Sequence, residues 1–340
     1  MTYVDLKLLL KRGALLAAAN WPVIGIQFVA ETTFQVLLAV PVIGAAILVA
    51  VLLGADLAEL LQGSFRDIFT TIAGTLMSEP VALVAFITAF AVVLLGGSVL
   101  TFLVKGGIVD VLVAAHQEVG PIEREPLTID TLHTAFQFTL QRFTTGCARL
   151  FRPYLALGLT LMAVYAGSGA AYLTFVVYGY RAAAGRFLIL GWTFAALSAL
   201  LLVVWITVVN LLYLLTQIAI AVDGVGMTDA FVAVARFIRA EFRELTGVFG
   251  VVLALVVAAT LASTLAWSGV GLIAFVPLVG LAVFPLQIAA LLVRGLVFEY
   301  LGLTALGAYV TLYVGYRGRA SRRAEAVENP RVSSPLERPA

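Results

Sequence analysis

Long apolar runs separated by short polar stretches dominate the chain, and each run is long enough to cross a bilayer. The runs fall at about 20–54, 80–105, 153–179, 187–221, 247–268 and 282–315, and roughly 20 apolar residues in a helix cross a hydrocarbon core. Helix is the element this pattern predicts, because an open sheet leaves its backbone groups unpaired in lipid and the short alternating segments of a membrane barrel are absent. Pro80 and Pro153 stand at expected span starts, where proline costs no helix hydrogen bond, whereas Pro41 and Pro285 lie inside spans and predict kinks. The expected fold is therefore all-α: a polytopic transmembrane helical bundle of about six spans within residues 1–316.

Between the spans a second periodicity takes over. Ile129, Leu132, Phe136, Leu140, Phe143, Cys147 and Leu150 step by three or four, as do Phe231, Val234 or Ala235, Ile238, Phe242 and Leu245. Such stripes predict amphipathic helices lying at the membrane surface, over about 128–151 and 228–246, with weaker versions at 2–19 and 57–77. The order then reads as three units, each a surface helix followed by an out-and-back hairpin. The tail, 317–340, is charged and lacks apolar periodicity, so disorder is expected there.

Charge placement orients this picture. Seventeen of the 21 basic residues fall on one side if the N-terminus is inside; Arg66, Arg181 and Arg186 fall outside, and Arg294 lies within the last span. By the positive-inside rule both ends are expected in the cytoplasm of a multi-pass protein of the cell (inner) membrane. The basic N-terminal stretch precedes an apolar run too long for a cleaved leader, so a retained signal anchor is expected. Composition agrees: 62% of the 340 residues are hydrophobic and 12% charged, against roughly 45–50% and 25% in soluble domains.

Candidate chemistry is sparse. Glu31, Arg294 and Glu299 are ionisable groups inside spans, where a charge is costly and marks a pathway or a buried pair. They form a candidate intramembrane polar site between the first and last spans, joined by Asn210 and Gln217 of the fourth; the competing reading is snorkelling or interhelical hydrogen bonding. Arg142, Arg149, Arg236, Arg239 and Arg243 are candidate lipid-headgroup contacts. His116 with Glu118, and Asp130 with His133, have acid–base or metal-ligand chemistry, but with no second cluster nearby a solvated surface is the favoured reading of both pairs. With one cysteine and two histidines no metal site is expected, and no cofactor either, since neither a phosphate-binding loop nor a recognised catalytic motif is present.

The segment IAIAVDGVGMTDAFVAVARFIRAEFRELTGVFGVVLAL resembles the glycerophosphoryl diester phosphodiesterase membrane-domain family. Asp223 and Gly224 match that family's acid–glycine turn, Asp229-Ala230 its following helix start, and Arg239 the helix's basic end. Leu312-Tyr313-Val314-Gly315-Tyr316-Arg317 is similar to its closing Leu-Tyr-Tyr-Asp-Leu-Arg, without the acid. The resemblance implies a stand-alone membrane module; the catalytic barrel of some relatives has no counterpart here, so phosphodiesterase activity is not implied. The expected role is a non-enzymatic membrane module, an assembly or lipid-associated helper. The alternative is a transporter or permease component using the polar pathway. Expected partners are the lipid bilayer and a membrane protein or second copy of the chain, with no nucleic acid.

Overall fold

The computed structural model describes residues 6–53, 74–75, 77–124, 128–183, 188–274 and 279–328. Long helices run through α1 (Leu6–Ala19), α2 (Trp21–Leu53), α3 (Pro80–Glu118), α4 (Ile129–Ala135), α5 (Leu140–Ala183), α6 (Leu188–Asp223), α7 (Met227–Ala240), α8 (Phe242–Ala274) and α9 (Val279–Glu328), with a single 3-10 turn at Ile122–Arg124. Among the described residues six helices, α2, α3, α5, α6, α8 and α9, are long and apolar enough to cross a membrane. Their most apolar stretches are at most 22% buried within the protein, so lipid is the solvent their side chains require. The chain is an all-α, multi-pass membrane protein.

The short helices α1, α4 and α7 each precede a pair of long ones, which gives the element order of three hairpins, each with its own leading helix. Three expectations change in detail. The surface helix expected over 128–151 breaks after Ala135, and α5 restarts at Leu140 and runs through Pro153 as one helix. The cause is local. Asn20 Oδ1 accepts the Gln137 backbone N–H at 2.9 Å, holding residue 137 out of the helix, and Thr139 Oγ1 caps the new start by accepting from Arg142 N. The helix expected over 228–246 likewise ends at Ala240, with α8 beginning at Phe242. The tail is helical through Glu328 rather than disordered from 317; residues beyond lie outside the described part, as does nearly all of the helix expected over 57–77.

The chain divides into two compact units, Ile26–Lys105 and Met1–Gly25 with Gly106–Ala340. In the first, α2 and α3 form a hairpin: Ala45 and Val49 pack on Ala82, Leu83 and Phe86, and the Phe34 ring lies where a side chain on Gly97 would be. In the second, the later half of α9 is the central post. Leu303, Leu306, Tyr309, Val310, Leu312 and Tyr313 are buried on all sides of that helix, the mark of a helix surrounded by protein. Against it lies α1, crossing so closely that a Cβ on Gly13 would sit 2.7 Å from Ala308 N and one on Gly307 3.0 Å from Gly13 Cα. Only glycine permits this backbone-to-backbone approach.

Candidate functional site

The polar chemistry of the larger unit gathers where α3, α6 and α9 end and α5 and α8 begin. One joint is built on Asp223, the last residue of α6. Gly224 follows with φ +65° and donates its N–H to Ile220 O at 3.0 Å, closing the helix with a left-handed cap. An acid at the negative end of a helix dipole is unfavourable unless compensated. Compensation comes from α9: Tyr313 Oη donates to Asp223 Oδ2 at 2.6 Å and Arg317 Nε to Oδ1 at 2.8 Å. Tyr313 in turn packs edge-on against Phe237 of α7, 5.2 Å between ring centres, and Phe237 also meets Tyr316. One helix further, Arg319 pairs with Glu241 in the break between α7 and α8 at 2.7 Å. Three helices are thus fixed to the central post by two ion pairs and an aromatic cluster.

A second joint is centred on Arg12 of α1. Its guanidinium donates to His116 Nδ1 at 3.1 Å, to the carbonyls of His116 and Val119 at 3.1 and 3.2 Å, and to Glu123 Oε2 at 2.8 Å. A cation here neutralises the orphan carbonyls at the end of α3. Lys11 Nζ adds a bond to Glu123 O, and Thr311 Oγ1 of α9 lies 3.3 Å from His116 Nδ1. Asn20, fully buried between α1 and α2, donates to Leu16 O and Ala135 O in addition to accepting from Gln137.

The seam between α3 and α5 completes this end. Gly107 meets Phe143 and Cys147, Gly146 leaves room for Asp110, and the Asp110 carboxylate pairs with Arg149 while Glu118 pairs with Arg142 at 2.6 Å. Farther along α5, the buried Tyr154 hydroxyl donates to Gln217 O at 2.8 Å.

The residues singled out in the sequence fall in both units. Glu31 is half-buried in the smaller unit and accepts from Gln27 of its own helix at 3.3 Å. Arg294 is exposed on α9, its guanidinium 5.7 Å from the Phe298 ring centre; Glu299 is half-buried five residues on. In α6, Asn210 is exposed and bonds the Tyr165 hydroxyl. Gln217, about 10 Å further along the helix at 1.5 Å per residue, is buried, and its Nε2 has no hydrogen-bond partner among the described residues. His116 and Glu118 do not pair with each other: the half-buried histidine meets Arg12 and Thr311, and the exposed acid pairs with Arg142 at the surface. Among the described residues no group of three or more metal-ligating side chains occurs.

The five candidate headgroup arginines separate into two sets. Arg142 and Arg149 are engaged with acids of α3. Arg236 and Arg239 of α7, and Arg243 just after it, are exposed. Arg12 and Asp223, the centres of the two joints, were not among the candidates. The one sequence signal for Asp223 is an acid closing an apolar helix directly before glycine; for Arg12 there is none, because its partners are more than a hundred residues away.

The fold and this polar end together define an all-α polytopic membrane protein. No protein-family model, curated protein or solved structure matches the chain.

Proposed function

We propose that the chain is a non-enzymatic membrane module of the glycerophosphoryl diester phosphodiesterase membrane-domain kind: a scaffold that holds helical hairpins on one rigid polar platform and offers that platform to lipid or a membrane partner. The observation that carries this reading is the Asp223 joint. Its two halves, Asp223-Gly224 and Tyr313 with Arg317, lie about ninety residues apart and are the segments that resemble that family's acid–glycine turn and closing motif. Five carboxylates at this end, those of Asp110, Glu118, Glu123, Asp223 and Glu241, are each held by an arginine. Acids occupied in this way fix helices; they are poorly disposed to move protons.

The lysine and arginine distribution supports a cytoplasmic placement of the platform. The close crossing of α1 on the last helix supports both ends being on one side.

The competing transport reading requires the spans to open a polar path. A cysteine-accessibility map in proteoliposomes separates the two. With Cys147 replaced by serine, single cysteines at Glu31, Asn210, Gln217 and Arg294 are treated with a membrane-impermeant maleimide from each side. The scaffold predicts that Gln217→Cys stays unlabelled from both sides. Labelling of that position from either side, or of any one position from both, would overturn the scaffold in favour of a water-filled pathway.

A further inference from the structure

Helix α7 carries three parallel stripes, each spaced four and then three residues. Ala230, Val234 and Phe237 form the buried stripe that seats the helix on the platform. Phe231, Ala235 and Ile238 form a second, with Phe231 and Ala235 exposed and Ile238 half-buried. Val232, Arg236 and Arg239 form the third, all exposed. A helix with one face buried on protein sits in water without cost when the rest of its surface is polar; this one has an outer apolar stripe and a basic stripe side by side, the division found in helices lying in a lipid interface.

We propose that the outer face of α7 is a docking surface for the anionic phospholipid headgroups of the bilayer that the protein spans, with Arg236 and Arg239 as the headgroup ligands and Phe231 entering the acyl boundary. This deepens the scaffold reading, and rests on it, by naming the platform's lipid partner. Three observations select lipid over a soluble partner. Three residues separate α7 from the end of α6 and one from the start of α8, both membrane-length helices, so α7 cannot leave the membrane surface. Neither Arg236 nor Arg239 has an ion-pair partner among the described residues, whereas the neighbouring acids Asp223 and Glu241 are committed to Arg317 and Arg319. Finally, Asp229 is the one acid on the basic stripe; it occupies the first turn of α7, where it complements the helix N-terminus two turns before Arg236.

The test uses the full chain purified in neutral detergent, with binding of fluorescent phosphatidylglycerol and phosphatidylcholine measured by titration. Tighter binding of phosphatidylglycerol is expected, weakening as salt rises. The double variant R236Q/R239Q should lose on the order of 30-fold in that affinity, from the contribution of basic residues near an anionic leaflet. R236K/R239K should retain most of it. Inorganic phosphate should compete weakly, because it lacks the acyl chains that the apolar stripe takes. The proposal is overturned if R236Q/R239Q binds as the parent does, if R322Q/R323Q in the distal part of α9 loses as much, or if inorganic phosphate displaces the lipid at equal concentration. An unchanged thermal unfolding midpoint confirms that the variants keep their fold. Loss of the lipid effect with a closed accessibility map leaves the scaffold standing; an open map removes the scaffold whatever α7 binds.

Discussion

Replacing Arg12 with glutamine isolates the tie between the first helix and the end of α3. The guanidinium makes four hydrogen bonds, two of them to the helix-terminal carbonyls of His116 and Val119. Glutamine is shorter and neutral, so it loses the ion pair with Glu123 and at least one carbonyl. The arginine and glutamate side chains are 11% and 14% exposed, which leaves the glutamate largely desolvated without its cation. Removal of one partner from a buried pair costs about 3–5 kcal/mol, and the residual exposure places R12Q near the lower end, about 3 kcal/mol. Lys11, whose ammonium donates to the Glu123 carbonyl at 2.8 Å, keeps a second cation beside that residue, which also favours the lower end. The assay is reversible unfolding of the full chain in mixed detergent micelles, followed by helical ellipticity, in a double-mutant cycle with Glu123→Gln. Coupling of about 1–3 kcal/mol between the two changes is expected. Amide exchange at residues 115–119 should quicken in R12Q while the Tyr154 region stays protected. Additive effects within about 0.5 kcal/mol, or an R12Q chain as stable as the parent, would refute the assignment of Arg12 as the tie.

Three further outcomes follow from the same geometry. Gly13→Ala places a methyl against the backbone of Thr304 and Ala308, which cannot yield as a side chain would; a loss of about 1–3 kcal/mol is expected in the same unfolding assay, and Gly25→Ala, in open space, should cost no more than a few tenths. Asn20→Ala strips partners from Ala135 O and Gln137 N, at about 1–3 kcal/mol for each group left unpaired, and should speed exchange across residues 135–139. For the orientation proposed from the charge distribution, Thr70→Cys in right-side-out vesicles should be labelled by impermeant maleimide, and labelling only after the inner face is opened would reverse that proposal.

The long helices were readable because a membrane span is a one-dimensional signal: twenty apolar residues are apolar whatever they touch. The surface helices were readable in period but not in extent. Thr139 and Asn20 cut the 128–151 stretch, and the second of these acts from the far end of α1, so the break follows from a tertiary hydrogen bond that periodicity does not contain. The intramembrane residues Glu31 and Arg294 drew attention because charge in an apolar run is costly. The platform's residues did not, because a charged residue in a polar loop looks ordinary until its partner is known. Arg142 illustrates the point: its spacing suits a headgroup, and its ion pair with Glu118, twenty-four residues away, is not in that spacing. Helix length misled at the other end, where the charged run after Arg317 continues the α9 helix to Glu328, drawing on the stability of its buried upstream half and on the Arg319 bond to Glu241.

The crossing of Gly13 on Gly307 also bears on how the chain is made. The ribosome produces Gly13 about 290 residues before its seat on α9, so at about 5–20 residues per second that face of α1 waits roughly 15–60 s for its partner. During that interval α1 can already meet the end of α3 through Arg12 and residues 135–137 through Asn20, so what waits is only its Gly13 face. A nascent chain stalled before α9 would therefore leave the Gly13 face of α1 uncovered and open to quality-control proteases.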